Sequence, residues 1–206
     1  MDARQHAPAT QRNREPILKI LSEVLPSPCT VLEIASGTGE HAVFFAAELE
    51  SCRWIPSDAN SLALDSIAAW KDANSEANLE SPLLVDVTQG NWQQQLGKGK
   101  INAIVNINMI HIAPWEACLG LMEGAGQILS EGEILFLYGP YKRDGEHTAP
   151  SNASFDRSLR DRNHLWGIRD LSAVVEAAAA QNLQLQQIRE MPANNLSLVF
   201  SRCISL

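Results

Sequence analysis

The sequence predicts an α/β fold, a three-layer sandwich on a seven-stranded, mostly parallel sheet with an antiparallel strand supplied by a C-terminal hairpin. Three observations carry this. Short β-branched or apolar runs alternate with segments of helical period along most of the chain, the pattern of parallel strands joined by helices. Several of the strand-like runs are continuously apolar, as strands covered on both faces are. The last two runs are separated only by Met191, Pro192, Ala193, Asn194 and Asn195, and so read as a hairpin.

Taken in order, residues 16–25 place apolar side chains at 17, 18, 21, 24 and 25, a helix with Pro16 in its first turn. Residues 30–35 (TVLEIA) form the first strand, followed by Ser36, Gly37, Thr38 and Gly39 and by a helix over 42–49. A second strand begins at 52–55 and ends near Asp58, a helix covers 61–73, and 82–87 (PLLVDV) is the third strand. Residues 100–110 (KINAIVNINMI) are a buried-type strand broken by two asparagines; 114–129 is a helix and 132–138 (GEILFLY) a further strand. The chain closes with a helix over 168–182 and hairpin strands over 183–190 and 196–202. The connection over 139–167 has the length of a lid rather than of an ordinary loop, with one or two helical turns over 155–162.

The 206 residues carry 16 basic and 24 acidic side chains, a net charge of −8, which argues against a broad grip on a nucleic acid backbone. Cys29, Cys52, Cys118 and Cys203 are widely spread with no Cys-x-x-Cys and no zinc spacing, so they read as reduced thiols in a cytoplasmic protein that holds no metal. Residues 1–14 are polar without an apolar leader core, and no apolar run approaches the roughly 18 residues that span a bilayer.

In an open parallel sheet, ligands bind beyond the carboxyl ends of the strands, and Gly37 and Gly39 occupy the turn after the first strand. With Ala42 they satisfy G-x-G-x-x-A, and Asp58 stands 21 positions past Gly37, where a ribose-binding acid falls. That pattern keeps an NAD-dependent oxidoreductase open. Glu33 inside the first strand suits a cationic ligand better than a pyrophosphate. Asp86, ending the third strand, adds another acid, and the C-terminal hairpin is expected to close the fold without a separate substrate-binding domain.

The segment VLEIASGTGEH (31–41), the acids Asp58 and Asp86 and the terminal hairpin resemble class I S-adenosylmethionine-dependent methyltransferases, a Rossmann-like fold. More narrowly, RNREPIL (12–18), INMIHIAPW (107–115), LYGPY (137–141), SNASFDRSLR (151–160), WGIRD (166–170) and MPANN (191–195) resemble a methyltransferase-like family of unknown substrate found in bacteria and animals. The resemblance implies S-adenosylmethionine as cofactor. Gly37 and Gly39 would pass under its methionine moiety, Glu33 would help hold that end, Asp58 would accept from the ribose hydroxyls and Asp86 from the adenine amino group. Glu40 and His41 stand where the superfamily often has a third glycine. One domain over 1–206 follows: an N-terminal extension and helix (1–29), a cofactor-binding half (30–138), the long loop or lid (139–167), and the C-terminal helix and hairpin (168–206).

Methyl transfer from a sulfonium needs positioning above all, with a base only where the acceptor loses a proton. Asn106 and Asn108, two apart at the end of the fourth strand, would share a face beside the cofactor. Asn106 reads as a cofactor contact or as a clamp on neighbouring backbone, Asn108 as a catalytic contact or such a clamp. His111 follows as a base whose ordinary pKa suits neutrality, or as a structural histidine. Trp115, Tyr141 and Trp166 are aromatic candidates for the acceptor site or the core. Arg160 is a candidate anion contact, although Arg157, Arg160, Arg162 and Arg169 are interleaved with Asp156, Asp161 and Asp170 and so fit an internally paired face. Asn194 and Asn195 are acceptor-binding candidates in a turn expected on the sheet edge of Gly37, Asp58 and His111. The reading is a methyltransferase acting on a small molecule, with no membrane partner and with a homo-oligomer left open. The alternatives are an NAD-dependent oxidoreductase and a non-catalytic S-adenosylmethionine-binding module.

Overall fold

The computed structural model describes residues 2–74, 78–97 and 99–203. They form two compact units interleaved along the chain, Met1–Asp86 with Gln95–Asn106, and Val87–Gln94 with Ile107–Leu206.

The first unit holds α1 (Pro8–Val24), β1 (Cys29–Ile34), α2 (Glu40–Glu48), β2 (Cys52–Asp58), α3 (Ser61–Asp72), β3 (Leu83–Leu84) and nearly all of β4 (Ala103–Ile107). β1 pairs in parallel with β2 and β4, and β2 with β3. Its core gathers Val31, Leu32 and Ile34 of β1 with Phe45, Trp54, Ile67 and Ile104, all at most 1% exposed. Two elements differ from expectation. α1 starts at Pro8, whose missing N–H is no loss in a first turn, and Pro16 lies inside the helix. The early part of α1 buries polar Thr10 and Asn13, so an apolar period sees only its second half. β3 is two residues long because it is an edge strand with Leu84 exposed.

Cys29 and Cys52 are a further correction. They are register partners at the starts of β1 and β2, with Cα atoms 4.6 Å apart, and they are joined as a disulfide, while Cys118 and Cys203 are free. Widely spaced cysteines meet here because parallel strands put their first residues side by side.

The second unit holds α4 (Trp115–Ile128), β5 (Ile134–Gly139), β6 (Tyr141–Arg143), β7 (Glu146–His147), α5 (Pro150–Arg162), β8 (Arg169–Asp170), α6 (Leu171–Ala179), β9 (Leu183–Met191) and β10 (Asn195–Arg202). β10 runs antiparallel to both β5 and β9, and a small separate sheet has the order β7-β6-β8. Leu121, Met122, Leu135, Phe136, Leu137, Leu198 and Phe200 are wholly buried between helix and strands. The strand order β3-β2-β1-β4-β5-β10-β9 is the expected seven-stranded, mostly parallel sheet with an antiparallel C-terminal pair.

The region expected as a long loop is instead ordered structure. α5 is thirteen residues long, opened by Pro150 and burying Asn152, Asp156 and Leu159. Two of those three are polar, so the face that packs is invisible to hydrophobic periodicity. α6 is shorter than expected because Arg169 and Asp170 belong to β8 and Asp170 caps the helix, accepting the N–H of Ser172 at 3.0 Å. No helix among the described residues is long and apolar enough to cross a membrane.

Candidate functional site

In the first unit the chain leaves β1 through a turn with three left-handed residues in five, Ala35 (φ 58°), Gly37 (φ 58°) and Gly39 (φ 89°). Ala35 carries a Cβ at positive φ, a local strain that the surrounding bonds must hold. A Cβ at Gly39 would stand 2.9 Å from the Ile67 Cα of α3, so glycine is required there on two counts. Gly37 is exposed with open space around it.

Asp58, at the end of β2, reaches this turn: its Oδ2 accepts the Gly37 N–H at 2.9 Å and its Oδ1 accepts the Asn60 N–H at 2.9 Å. The cap of α3 is Asn60, which accepts from Leu62 at 3.0 Å, so Asp58 bridges the glycine turn and the N-cap residue of α3 without capping the helix itself. Glu33 is turned inward at 1% exposure; its Oε2 accepts the indole N–H of Trp54 at 2.8 Å, and burial pushes its pKa up to about 7. Asn106 is equally buried and donates to the Ile34 carbonyl at 2.9 Å, which makes it a clamp on the last peptide of β1. Asp86 is half-buried, two residues past β3.

Around α2 stand contacts to which the motifs assigned no role. The Glu40 carboxylate takes the Ala7 N–H at 2.6 Å, the Thr38 hydroxyl at 3.1 Å and His6 Nδ1 at 3.1 Å. His41 Nε2 bonds Asn13 Oδ1 at 2.8 Å, and burial lowers its pKa to about 4. Arg14 lays its guanidinium 4.5 Å from the centre of the Phe44 ring. The signal for this group lay in RNREPIL, but a helix face made of Asn and Arg has no apolar period to expose it.

In the second unit, Asn108 lies past β4 with φ 63° and donates its N–H to the Tyr138 carbonyl at 2.9 Å. Strand alternation therefore does not extend to it, and the shared face expected for Asn106 and Asn108 does not form. His111 is 5% exposed, its ring edge-on to Phe155 with centroids 5.6 Å apart, and its carbonyl accepts the Gly167 N–H at 3.0 Å. Burial, and then the positive charge of Arg169, push its pKa down to about 4. It is a neutral imidazole and does not titrate near neutrality as expected. A Cβ at Gly139 would stand 3.3 Å from His111 Nδ1 and 3.8 Å from Asn108 Oδ1, so glycine lets both side chains approach the end of β5.

The arginines are committed within the unit. Arg169 donates to the carbonyls of Ile110 (3.3 Å), Ala113 (2.7 Å) and Leu165 (2.7 Å), 5.8 Å from the ring of half-buried Trp115. Arg160 binds Asp156 at 3.2 Å, and the same carboxylate takes the Ile168 N–H at 2.6 Å with Lys142 and His147 at 3.5 and 3.4 Å. Arg162 lies 5.7 Å from the ring of Trp166. Tyr141 is 2% exposed, a core side chain whose phenol burial pushes well above its usual range. Of the interleaved acids Asp156 pairs with Arg160, whereas Arg157 donates to the Ser154 hydroxyl and Arg162 to the Ser158 carbonyl.

The turn over 191–195 holds Ala193 and Asn194 consecutively at φ 58°. Asn152 of α5 donates to the Asn194 carbonyl at 3.0 Å, Asn194 donates to Ser151 at 3.3 Å, and Asn195 donates to the Pro192 carbonyl at 3.0 Å. Because Leu196 pairs with Gly139, the turn lies at the carboxyl end of β5, the end that Gly139 shares with His111. It walls a cleft of about 480 Å³ with Arg143, His147, Thr148 and Glu190. α5 joins the parts, Asn152 holding the turn and Phe155 meeting His111, and neither had been singled out from the sequence.

Solved structures resemble the chain at the level of fold. An O-methyltransferase family protein from Burkholderia thailandensis has a TM-score of 0.75 at 15% identity, over 96% of this chain and 58% of that one. Human N-acetylserotonin methyltransferase in complex with S-adenosylmethionine has a TM-score of 0.73 at 11% identity, over 95% and 53%. A Haloferax volcanii chain assigned as a methyltransferase, in complex with the Trm112 methyltransferase activator, has a TM-score of 0.72 at 12% identity, over 95% and 92%. The chain thus spans a little over half the length of the first two and nearly all of the third. The fold is that of S-adenosylmethionine-dependent methyltransferases. Residues 4–202 match the family described as a protein of unknown function (DUF938), and the chain belongs to that family.

Proposed function

We propose that this protein is an S-adenosylmethionine-dependent methyltransferase acting on a small molecule. The observation that carries the reading is the pairing of Asp58 Oδ2 with the Gly37 N–H, which puts a carboxylate beside the exposed glycine of the turn after β1. Such a turn lets a ligand approach the backbone, and the carboxylate is a ready acceptor for ribose hydroxyls. Gly37 and Gly39 would face the amino-acid end of the cofactor, Asp58 the ribose and Asp86 the adenine. Glu33 and Asn106 hold the turn from beneath through Trp54 and Ile34.

When bound, the cofactor supplies an electrophilic methyl group on a sulfonium. His111 is neutral at physiological pH, and with its pKa pushed down to about 4 it is a weak base, so its role would be to orient an acceptor hydroxyl or amine by a hydrogen bond, with Asn108 beside it at the end of β5. Asn194, Asn195 and the cleft against them have the size for a small metabolite, with the half-buried Trp115 and Trp166 as apolar candidates in the same unit.

G-x-G-x-x-A followed by Asp58 also fits a dinucleotide, so the deciding experiment is a thermal melt with each cofactor. S-adenosylmethionine or S-adenosylhomocysteine raises the melting temperature, while NAD and NADP leave it unchanged; a ligand at a hundred times its Kd adds about 2.7 kcal/mol. A shift with NAD alone overturns the reading.

A further inference from the structure

The glycine turn runs through Gly39 into α2, and α1 packs against that helix with two consecutive residues. Asn13 holds His41. Arg14 stacks its guanidinium on Phe44, and there its Nε is buried without any hydrogen bond. A buried donor on a charged group is costly to leave unpaired. The acids nearby do not satisfy it. Glu15 stands 4.0 Å off with its side chain largely in solvent, and Glu40 is engaged by Ala7, Thr38 and His6. His41, a neutral imidazole, adds no second positive charge beside Arg14.

We infer that Arg14 is the anchor for the carboxylate at the amino-acid end of the cofactor. The inference rests on the cofactor reading above. That carboxylate is the one anionic group S-adenosylmethionine carries. A guanidinium matches it through parallel N–H donors, and stacking on Phe44 fixes the plane of the fork before the ligand arrives. A lysine would offer a charge but neither the Nε donor nor the stack.

The test is calorimetric titration of two ligands that differ only in this group, S-adenosylmethionine and decarboxylated S-adenosylmethionine, against wild type and Arg14→Met. Methionine keeps an unbranched stem over Phe44. Wild type binds S-adenosylmethionine about 10-fold or more tighter than the decarboxylated ligand, and Arg14→Met narrows the gap to about twofold. Arg14→Lys, which retains the charge and loses Nε, narrows it severalfold and serves if the methionine variant fails to fold. A wild-type ratio near one, a ratio unchanged by substitution, or an equal loss for both ligands overturns the assignment of Arg14. Wild-type protein that binds neither ligand overturns the cofactor reading itself, a result distinct from the others.

Discussion

Trp54 donates its indole N–H to the carboxyl of Glu33 at 2.8 Å, deep between β1 and β2, and this bond links the strand that leads to the glycine turn with the strand that leads to Asp58. The carboxyl is buried, and its pKa is raised from 4.5 to about 7. Folding therefore takes up a proton there, a contribution fully present below pH 4.5 and lost as pH rises through about 7, worth about 3 kcal/mol in all. Glu33→Gln keeps an acceptor for Trp54 and removes the titration. Urea unfolding at pH 8 should find the variant more stable than wild type, with the difference shrinking at pH 5.

His41 and His111 act in the opposite sense, since burial lowers both from 6.5 to about 4. Each makes the fold lose stability as pH falls below 6.5, because the unfolded chain then holds the extra proton. Between pH 4.5 and 6.5 these two outweigh Glu33, and just above 6.5 Glu33 acts alone. From these three groups, wild-type stability peaks near pH 6.5, whereas in Glu33→Gln it rises to a plateau that extends to pH 8. Unfolding free energies across pH 5–8 locate the peak, and a wild-type plateau would contradict the burial of Glu33.

Asp58→Ala removes the acceptor for the N–H groups of Gly37 and Asn60. Both lie at the surface, where water replaces the bond, so the ligand-free protein loses only about 1 kcal/mol. Binding of S-adenosylhomocysteine falls by about 10-fold, the effect of one charge-assisted bond to a ribose hydroxyl. Equal affinity in both proteins would remove Asp58 from the site.

The double left-handed turn makes opposite demands on its two residues. Ala193→Gly relieves φ 58° and raises stability by up to about 1 kcal/mol, while Ala193→Val lowers it by more. Asn194→Gly keeps the backbone and deletes the amide; it leaves S-adenosylhomocysteine affinity within about twofold of wild type, since the lost amide bonds Ser151. Acceptor binding or turnover weakens. Unchanged kinetics with an identified acceptor would leave the turn a purely structural feature.

For the disulfide, thiol titration of the unfolded, unreduced chain should detect Cys118 and Cys203 alone, with Cys29 and Cys52 appearing after reduction. Closing a loop of 23 residues stabilises by about 3 kcal/mol, so reductant lowers the unfolding midpoint of wild type and not that of a Cys29→Ser, Cys52→Ser double variant.

The amino-acid sequence alone determined the sheet and the glycine turn that follows its first strand. Apolar runs are local records of burial, and Gly37, Gly39 and Asp58 report a local backbone need and its spacing, so order along the chain was enough to find them. Tertiary structure decided the rest. The full length of α5 was not legible because Asn152 and Asp156, two of the three residues it buries, are polar and gain their meaning only from the Asn194 carbonyl and the Ile168 N–H that fold against them. His111 carries the same letters as a histidine that titrates at neutrality; packing against Phe155 and the charge of Arg169 made it neutral. Cys29 and Cys52 became partners through strand register, and Arg14 was left with a buried, unbonded Nε by the way α1 lies on Phe44. Burial, pairing and the lack of a partner are properties of three-dimensional neighbours, which a local pattern of residues does not record.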